Sequence, residues 1–260
     1  KKSKIVQLDP DCAEINKNVR VDLGLVGDVE DAFKRIAEKC APKSNPEWID
    51  RVRKLKAEEN AFEDEIAAEN KASLTPKQVF EIINADKPAK TVIATDVGQH
   101  QMWAAQYATF DGPRRFVSSG GLGTMGFGLG AAMGAYVATK DPVVLITGDG
   151  SFGMNLNELA TAVTYKLPVV IVLMNNGVLG MVRQWQTLFY DKHYSNSVLN
   201  RSTDFPALAR AFGADGETVT TPDELDKALS KAFSQNIPYV IDCRIDKDEF
   251  VLPMLPPGGS

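Results

Sequence analysis

The feature that most constrains this chain is the stretch from Val143 to Met181, VVLITGDGSFGMNLNELATAVTYKLPVVIVLMNNGVLGM. Two short apolar runs rich in β-branched residues, Val143 to Thr147 and Pro168 to Met174, enclose a segment read as a helix. The pattern predicts a βαβ unit, and its two strands must then be parallel neighbours. The turns that follow them, Gly148-Asp149-Gly150 and Asn175-Asn176-Gly177, therefore share one edge of a sheet. Open α/β sheets place their ligands at that edge.

Asp149 and Asn176 are the candidate metal-binding pair. Glycines beside them let the backbone turn sharply and approach a ligand closely. A carboxylate oxygen and an amide oxygen at two strand tips suit a hard cation such as Mg2+. A main-chain carbonyl just after Asn176 adds a third oxygen, and phosphate and water complete an octahedron. The implied ligand is a diphosphate. Taken singly, Gly-Asp-Gly and Asn-Asn-Gly are also ordinary turns.

The rest of the chain alternates strands and helices. Strands are expected at Lys4 to Leu8, Gly24 to Val26, Thr91 to Thr95, Arg115 to Ser118, near Glu217 to Val219, and at Tyr239 to Cys243. Helices are expected at Val29 to Lys39, Glu47 to Glu69, after Thr75-Pro76-Lys77-Gln78, through Tyr107, up to Thr139, around Phe205 to Phe212, and after Thr221-Pro222-Asp223-Glu224. The Thr-Pro-x-Gln and Thr-Pro-x-Glu runs read as capping boxes with proline in the first turn. The fold class that follows is α/β, a doubly wound, mostly parallel sheet with helices on both faces. Residues 1–40 read as the end of a preceding domain, 41–72 as a charged, helical linker, and 73–260 as a ligand-binding domain. The chain begins Lys1-Lys2-Ser3-Lys4, with neither an initiator Met nor an apolar leader, and reads as a piece of something longer.

A net charge of -5 offers no basic footprint for nucleic acid or an anionic membrane, and no apolar run has the length of a membrane span. Cys12, Cys40 and Cys243 are far apart, which points to free thiols in a reducing compartment, the cytoplasm.

The spacing of GDG, twenty-four residues and NN is similar to the thiamin-diphosphate signature. Together with Asp96-Val97-Gly98-Gln99-His100-Gln101-Met102-Trp103, Gly121-Leu122-Gly123-Thr124-Met125-Gly126, Gly180-Met181-Val182-Arg183-Gln184-Trp185-Gln186 and the ending Val251-Leu252-Pro253-Met254-Leu255-Pro256-Pro257-Gly258, the chain resembles the C-terminal part of the acetohydroxyacid synthase (acetolactate synthase) family. That family decarboxylates pyruvate and joins the two-carbon unit to a second 2-keto acid, pyruvate or 2-ketobutyrate, in branched-chain amino acid biosynthesis. The resemblance implies that Asp149, Asn176 and the Val178 carbonyl hold Mg2+, and that Val97, Gly98, Gln99 and His100 approach the diphosphate. It implies a hydrogen bond from the cofactor's aminopyrimidine to the Gly123 carbonyl, and a bend in the cofactor propped by Met125. Gly148, Gly150, Ser151, Leu179, Gly180 and Met181 complete the cofactor site, Met181 and Trp185 line the substrate channel, and Asp9 and Asp28 stand at positions that contact FAD. Met125 alone would read as core packing, His100 as a turn residue and Arg183 as an ion-pair partner.

Two departures stand out: Gly130 where the family commonly has Pro, and Gly153 where it commonly has Gln. The family's pyrimidine-binding domain, with the glutamate that activates the cofactor, has no counterpart here. In the family that glutamate comes from the neighbouring subunit of a homodimer, and a small regulatory subunit attaches, so this chain is expected to carry half a site and no activity alone. Three alternatives remain, the first being another thiamin-diphosphate-dependent decarboxylase or carboligase. Gly121 to Gly126 fits GxGxxG, the fingerprint of a dinucleotide-binding oxidoreductase, with Asp149 as its acid. The fold also serves non-catalytic interaction modules.

Overall fold

The computed structural model describes residues 3–69 and 74–254, and for 62–69 the backbone alone. Lys1, Lys2, the end of the expected linker at 70–72 and the closing Leu255 to Gly258 lie outside the described residues. The chain divides into two units, Lys1–Glu65 and Ile66–Ser260.

In the first unit, β1 (Val6–Asp9) pairs in parallel with β2 (Leu23–Val26), joined through a 3-10 turn at Cys12–Glu14 that Asp11 caps. Helix α1 (Val29–Lys39) starts at Asp28, whose carboxylate accepts from the Asp31 N–H, and α2 spans Pro46–Glu69. None of residues 3–61 is buried; Val6, Leu23, Val26, Phe33 and Ile36 are all exposed. Helix α2 is not only charged, as expected: Trp48, Val52 and Leu55 form an exposed apolar stripe at i, i+4 and i+7.

The second unit opens with α3 (Pro76–Asp86), where Thr75 caps the helix and closes a capping box with Gln78. There follow β3 (Val92–Thr95), α4 (Gln99–Tyr107), β4 (Phe116–Val117), α5 (Phe127–Thr139), β5 (Val143–Gly148), α6 (Asp149–Asn155) and α7 (Leu159–Thr164). After these come β6 (Val169–Asn175), α8 (Gly180–Phe189), α9 (Phe205–Phe212), β7 (Asp215–Val219), α10 (Pro222–Phe233) and β8 (Tyr239–Arg244). Six parallel strands form one sheet in the order β4-β3-β5-β6-β8-β7. Strand residues alternate between two buried layers: Ile93, Val144, Ile146, Val170 and Val172 on one face, and Ala94, Val143, Leu145, Val169 and Ile171 on the other. The first layer packs Phe80, Trp103 and Leu229, the second Leu129, Phe152, Leu159 and Phe205, so helices cover both faces. Seen from β3 the chain runs to one side, to β4, and from β5 to the other, to β6. The crevice between the carboxyl ends of β3 and β5 is therefore the topological switch point.

Two expectations change. The single helix read between β5 and β6 is broken by a 3-10 turn at Leu156–Glu158. Asn155 leaves helical geometry at φ −143 and its side chain donates to the Gly126 carbonyl at 3.3 Å, an alternative that asparagine offers the backbone. The strand read at Arg115 to Ser118 keeps two residues, because as an edge strand it pairs only with Ile93 and Ala94.

Candidate functional site

Asp96, at the end of β3, holds the switch point together. It is buried, and its Oδ1 accepts from the Gly126 N–H at 2.7 Å and the Val97 N–H at 3.1 Å, while Thr147 on β5 donates to Oδ2 at 3.3 Å. Burial pushes its pKa up and these donors pull it back. One carboxylate thus ties two strand ends to the glycine turn that starts α5.

Over this knot lies His100, buried in the first turn of α4. Gly98, at φ +154, and Gly148 make room for the ring, since a Cβ at either would stand 2.7 Å or 2.9 Å from an imidazole atom. The ring donates to the Asp96 carbonyl, and its Nε2 has no partner among the described residues. Desolvation pulls its pKa down to about 3, so it is neutral at physiological pH.

Asp149 follows β5 directly and is 5% exposed; desolvation pushes its pKa up to about 6. Asn176 follows β6. Its Oδ1 accepts from the Val178 N–H at 3.2 Å and its Nδ2 faces Gln99 Oε1 at 3.5 Å. An antiparallel bridge between Val178 and Val198 uses the Gly177 carbonyl and the Leu179 N–H, which leaves the Val178 carbonyl outside that pairing. Ser151 donates to the Val97 carbonyl at 2.6 Å, closing α6 onto the loop before α4.

These residues surround one cavity of about 180 Å³. Its walls include Val97, Gly98, Gln99, His100, Gly123, Met125, Gly148, Asp149, Gly150, Ser151, Asn176, Val178, Leu179, Gly180 and Met181, drawn from four separate stretches of sequence. Trp103, Met174 and Val182 line it as well. Trp103 had a sequence signal that was passed over, because it lies one helical turn beyond Gln99 on the same face. Met174 had none: it is a strand residue, and only its position above the layer of Val172 brings it to the site.

Trp185 lies elsewhere, in a groove of about 620 Å³ along α8 that Met181 shares, where it meets Phe189 edge to face at 5.7 Å. Arg183 forms an ion pair with Asp248 at 2.7 Å and covers the Tyr194 ring at 4.1 Å. Asp9 and Asp28 belong to the first unit, at the carboxyl ends of β1 and β2; each carboxylate accepts a local N–H, from Asp11 and Asp31. Arg201 is a residue that sequence reasoning missed. It lines a polar cavity of about 250 Å³ with Asp149, Asn176 and Arg244, and its charge draws the Asp149 pKa back down. It reaches there past Gly153, where a Cβ would stand 2.5 Å from its Nη1.

The donor set fits a hard cation and a phosphate ligand. One buried carboxylate, one amide oxygen and one carbonyl are available, and among the described residues there is no cluster of three His, Cys, Asp or Glu of the kind a softer metal needs.

Residues 96–243 match the family model described as thiamine pyrophosphate enzyme, C-terminal TPP binding domain. The chain belongs to that family. The match takes in Gly121 to Gly126, so the glycine turn belongs to a TPP binding domain and the dinucleotide alternative is set aside. The chain is also 42% identical to the probable acetolactate synthase large subunit of Methanocaldococcus jannaschii, over 99% of its own length and 44% of the relative's. It is 42% identical to the acetolactate synthase isozyme 2 large subunit of Escherichia coli K12, over 99% of its length and 46% of the relative's. To the acetolactate synthase large subunit of Parasynechococcus marenigrum it is 41% identical, over 100% and 42%. The chain thus spans less than half the length of these relatives. No helix among the described residues is long and apolar enough to cross a membrane.

Proposed function

We propose that this chain is the cofactor-binding portion of an acetolactate synthase large subunit, and that it binds thiamin diphosphate with Mg2+ at the switch-point cavity. The observation that carries this reading is the pair Asp149 and Asn176, set at the ends of adjacent strands around one cavity with the buried, neutral His100. Asp149, Asn176 Oδ1 and the Val178 carbonyl would hold the cation, and the Gly98 to His100 turn and Gly150-Ser151 would face the phosphates. Gly123 and Met125 would seat and bend the organic part of the cofactor, Met181 and Trp185 would border the incoming 2-keto acid, and the buried wall of Trp103 and Met174 keeps water from the site. When bound, thiamin diphosphate supplies the electron sink that lets pyruvate lose CO2 and its two-carbon remnant join pyruvate or 2-ketobutyrate.

In the intact enzyme we read residues 1–40 as the end of an FAD-binding central domain with Asp9 and Asp28 near FAD, 41–72 as the linker, and 73–260 as the thiamin-diphosphate domain. The activating glutamate comes from another part of the assembly, a homodimer joined by a small regulatory subunit, in the cytoplasm. The names of the large-subunit relatives and the three free thiols support this reading.

The test is calorimetric titration of thiamin diphosphate into the chain with and without Mg2+, with Asp149→Asn as control. Saturable binding that requires both the metal and Asp149 is expected, with no acetolactate formed. Binding of NADH in place of thiamin diphosphate, or acetolactate made by the pure chain, would sink the proposal.

A further inference from the structure

We infer that Gln184 is a positioning residue for the cation, acting through Gln99 to hold the oxygen end of the Asn176 amide toward the metal; this rests on the metal-site reading above. An asparagine can present either oxygen or nitrogen, and only the oxygen binds a cation. Within its own turn the Val178 N–H favours one orientation, donating to Oδ1 at 3.2 Å, and the Nδ2 end of the amide is held from outside that turn.

That outside hold starts in the backbone at Val251. Gln184, 1% exposed, is held by Val251 on both sides of its amide: Oε1 accepts from the Val251 N–H at 2.9 Å, and Nε2 donates to the Val251 carbonyl at 2.8 Å. A backbone N–H only donates and a carbonyl only accepts, so this pair admits one orientation of Gln184. Its Oε1 then accepts from Gln99 Nε2 at 2.8 Å, and Gln99 Nε2 donates also to the Glu249 carbonyl at 3.0 Å. With its nitrogen committed twice, Gln99, 4% exposed, turns Oε1 toward Asn176. That oxygen accepts from Asn176 Nδ2 at 3.5 Å, which leaves Asn176 Oδ1 as the outward atom, with one lone pair on the Val178 N–H and one for a cation. The backbone of Gly180 lies against the same amide, since a Cβ there would stand 1.9 Å from Gln99 Oε1. Residues that orient a metal ligand commonly contribute about tenfold to hundredfold in affinity.

The experiment titrates Mg2+ calorimetrically into the chain at saturating thiamin diphosphate, for wild type, Gln184→Met and Gln184→Glu. Met keeps the volume and removes the amide. Glu keeps an oxygen that accepts from Gln99 Nε2 and from the Val251 N–H, and, held protonated by burial, places a hydroxyl that donates to the Val251 carbonyl where Nε2 did. The relay predicts an Mg2+ affinity about tenfold or more weaker for Gln184→Met and close to wild type for Gln184→Glu. Equal affinity in wild type and Gln184→Met overturns the relay, and so does an equal loss in both variants. If Gln184→Met does not fold, Gln99→Met asks the same question, and an unchanged Mg2+ affinity there overturns it. Wild-type chain that takes up thiamin diphosphate without any Mg2+ dependence would instead overturn the metal-site reading, and the relay with it.

Discussion

Asp149 and Asn176 line one cavity from the ends of neighbouring parallel strands, because the register of β5 and β6 pairs Gly148 with Met174 and both strands end within two residues of that pair. Shifting the register by one residue would turn every buried side chain of β6 to the wrong face, so the packing of the sheet enforces the meeting of the two. The placement has a cost. Asp149 is a carboxylate in a desolvated position, beside a histidine that burial keeps neutral.

Asp149→Asn should therefore stabilise the ligand-free chain at pH 7 while abolishing metal-dependent binding. The folded pKa of Asp149, about 6, is above its ordinary 3.8, so the stability it contributes is present below pH 4 and lost as pH rises through 6. Removing the charge restores up to about 3 kcal/mol at pH 7. Thermal melts should place the variant above wild type at pH 7 and level with it near pH 4; a variant that melts lower at pH 7 contradicts this.

His100 works in the opposite sense. Its folded pKa, about 3, is below the ordinary 6.5, so its contribution is present above pH 6.5 and is lost progressively as pH falls toward 3. Between pH 6 and 4 the two residues offset each other in the wild type. Relative to wild type, His100→Gln should gain stability on acidification across that window and Asp149→Asn should lose it. Urea denaturation at several pH values measures both slopes, and parallel slopes in the three proteins would refute the assignment.

Asp248→Ala should loosen the segment that carries Val251. Arg183 is 8% exposed and bonds Asp248 Oδ1 through both Nε, at 2.9 Å, and Nη2, at 2.7 Å. Without that acceptor a largely buried guanidinium loses its charged partner, at a cost of about 1–3 kcal/mol. Denaturant unfolding should show the loss, and limited proteolysis should cut faster between Asp246 and Met254.

Two of the three thiols should react with a disulfide reagent in the native state. Cys12 and Cys40 are exposed, whereas Cys243 is buried in β8, where desolvation pushes its pKa up. Titration of native against unfolded chain counts the difference, and rapid reaction of Cys243 would show that β8 opens.

Much of this fold was legible in the sequence. Thr75 with Gln78 and Thr221 with Glu224 close the capping boxes their spacing announces, Gly213 ends α9 at φ +92, and the apolar runs around Val144, Ile171 and Ile241 form the middle of the sheet. Such signals are local: a cap needs a partner three residues away, and a buried strand needs a short β-branched run. Those runs, alternating with helical segments, also determined that the Gly-Asp-Gly and Asn-Asn-Gly turns stand side by side.

The tertiary structure decided what those turns are made of chemically. The break at Leu156 depends on Asn155 finding the Gly126 carbonyl, the neutrality of His100 on burial from all sides, and the approach of Arg201 on the space left at Gly153. The orientation of Asn176 has a local part, the Val178 N–H on Oδ1, and a distant one that reaches its Nδ2 from Val251 through Gln184 and Gln99. Periodicity reports which face of an element is buried. Desolvation and hydrogen-bond direction belong to atoms that meet only after folding, and a linear sequence carries no distance between them.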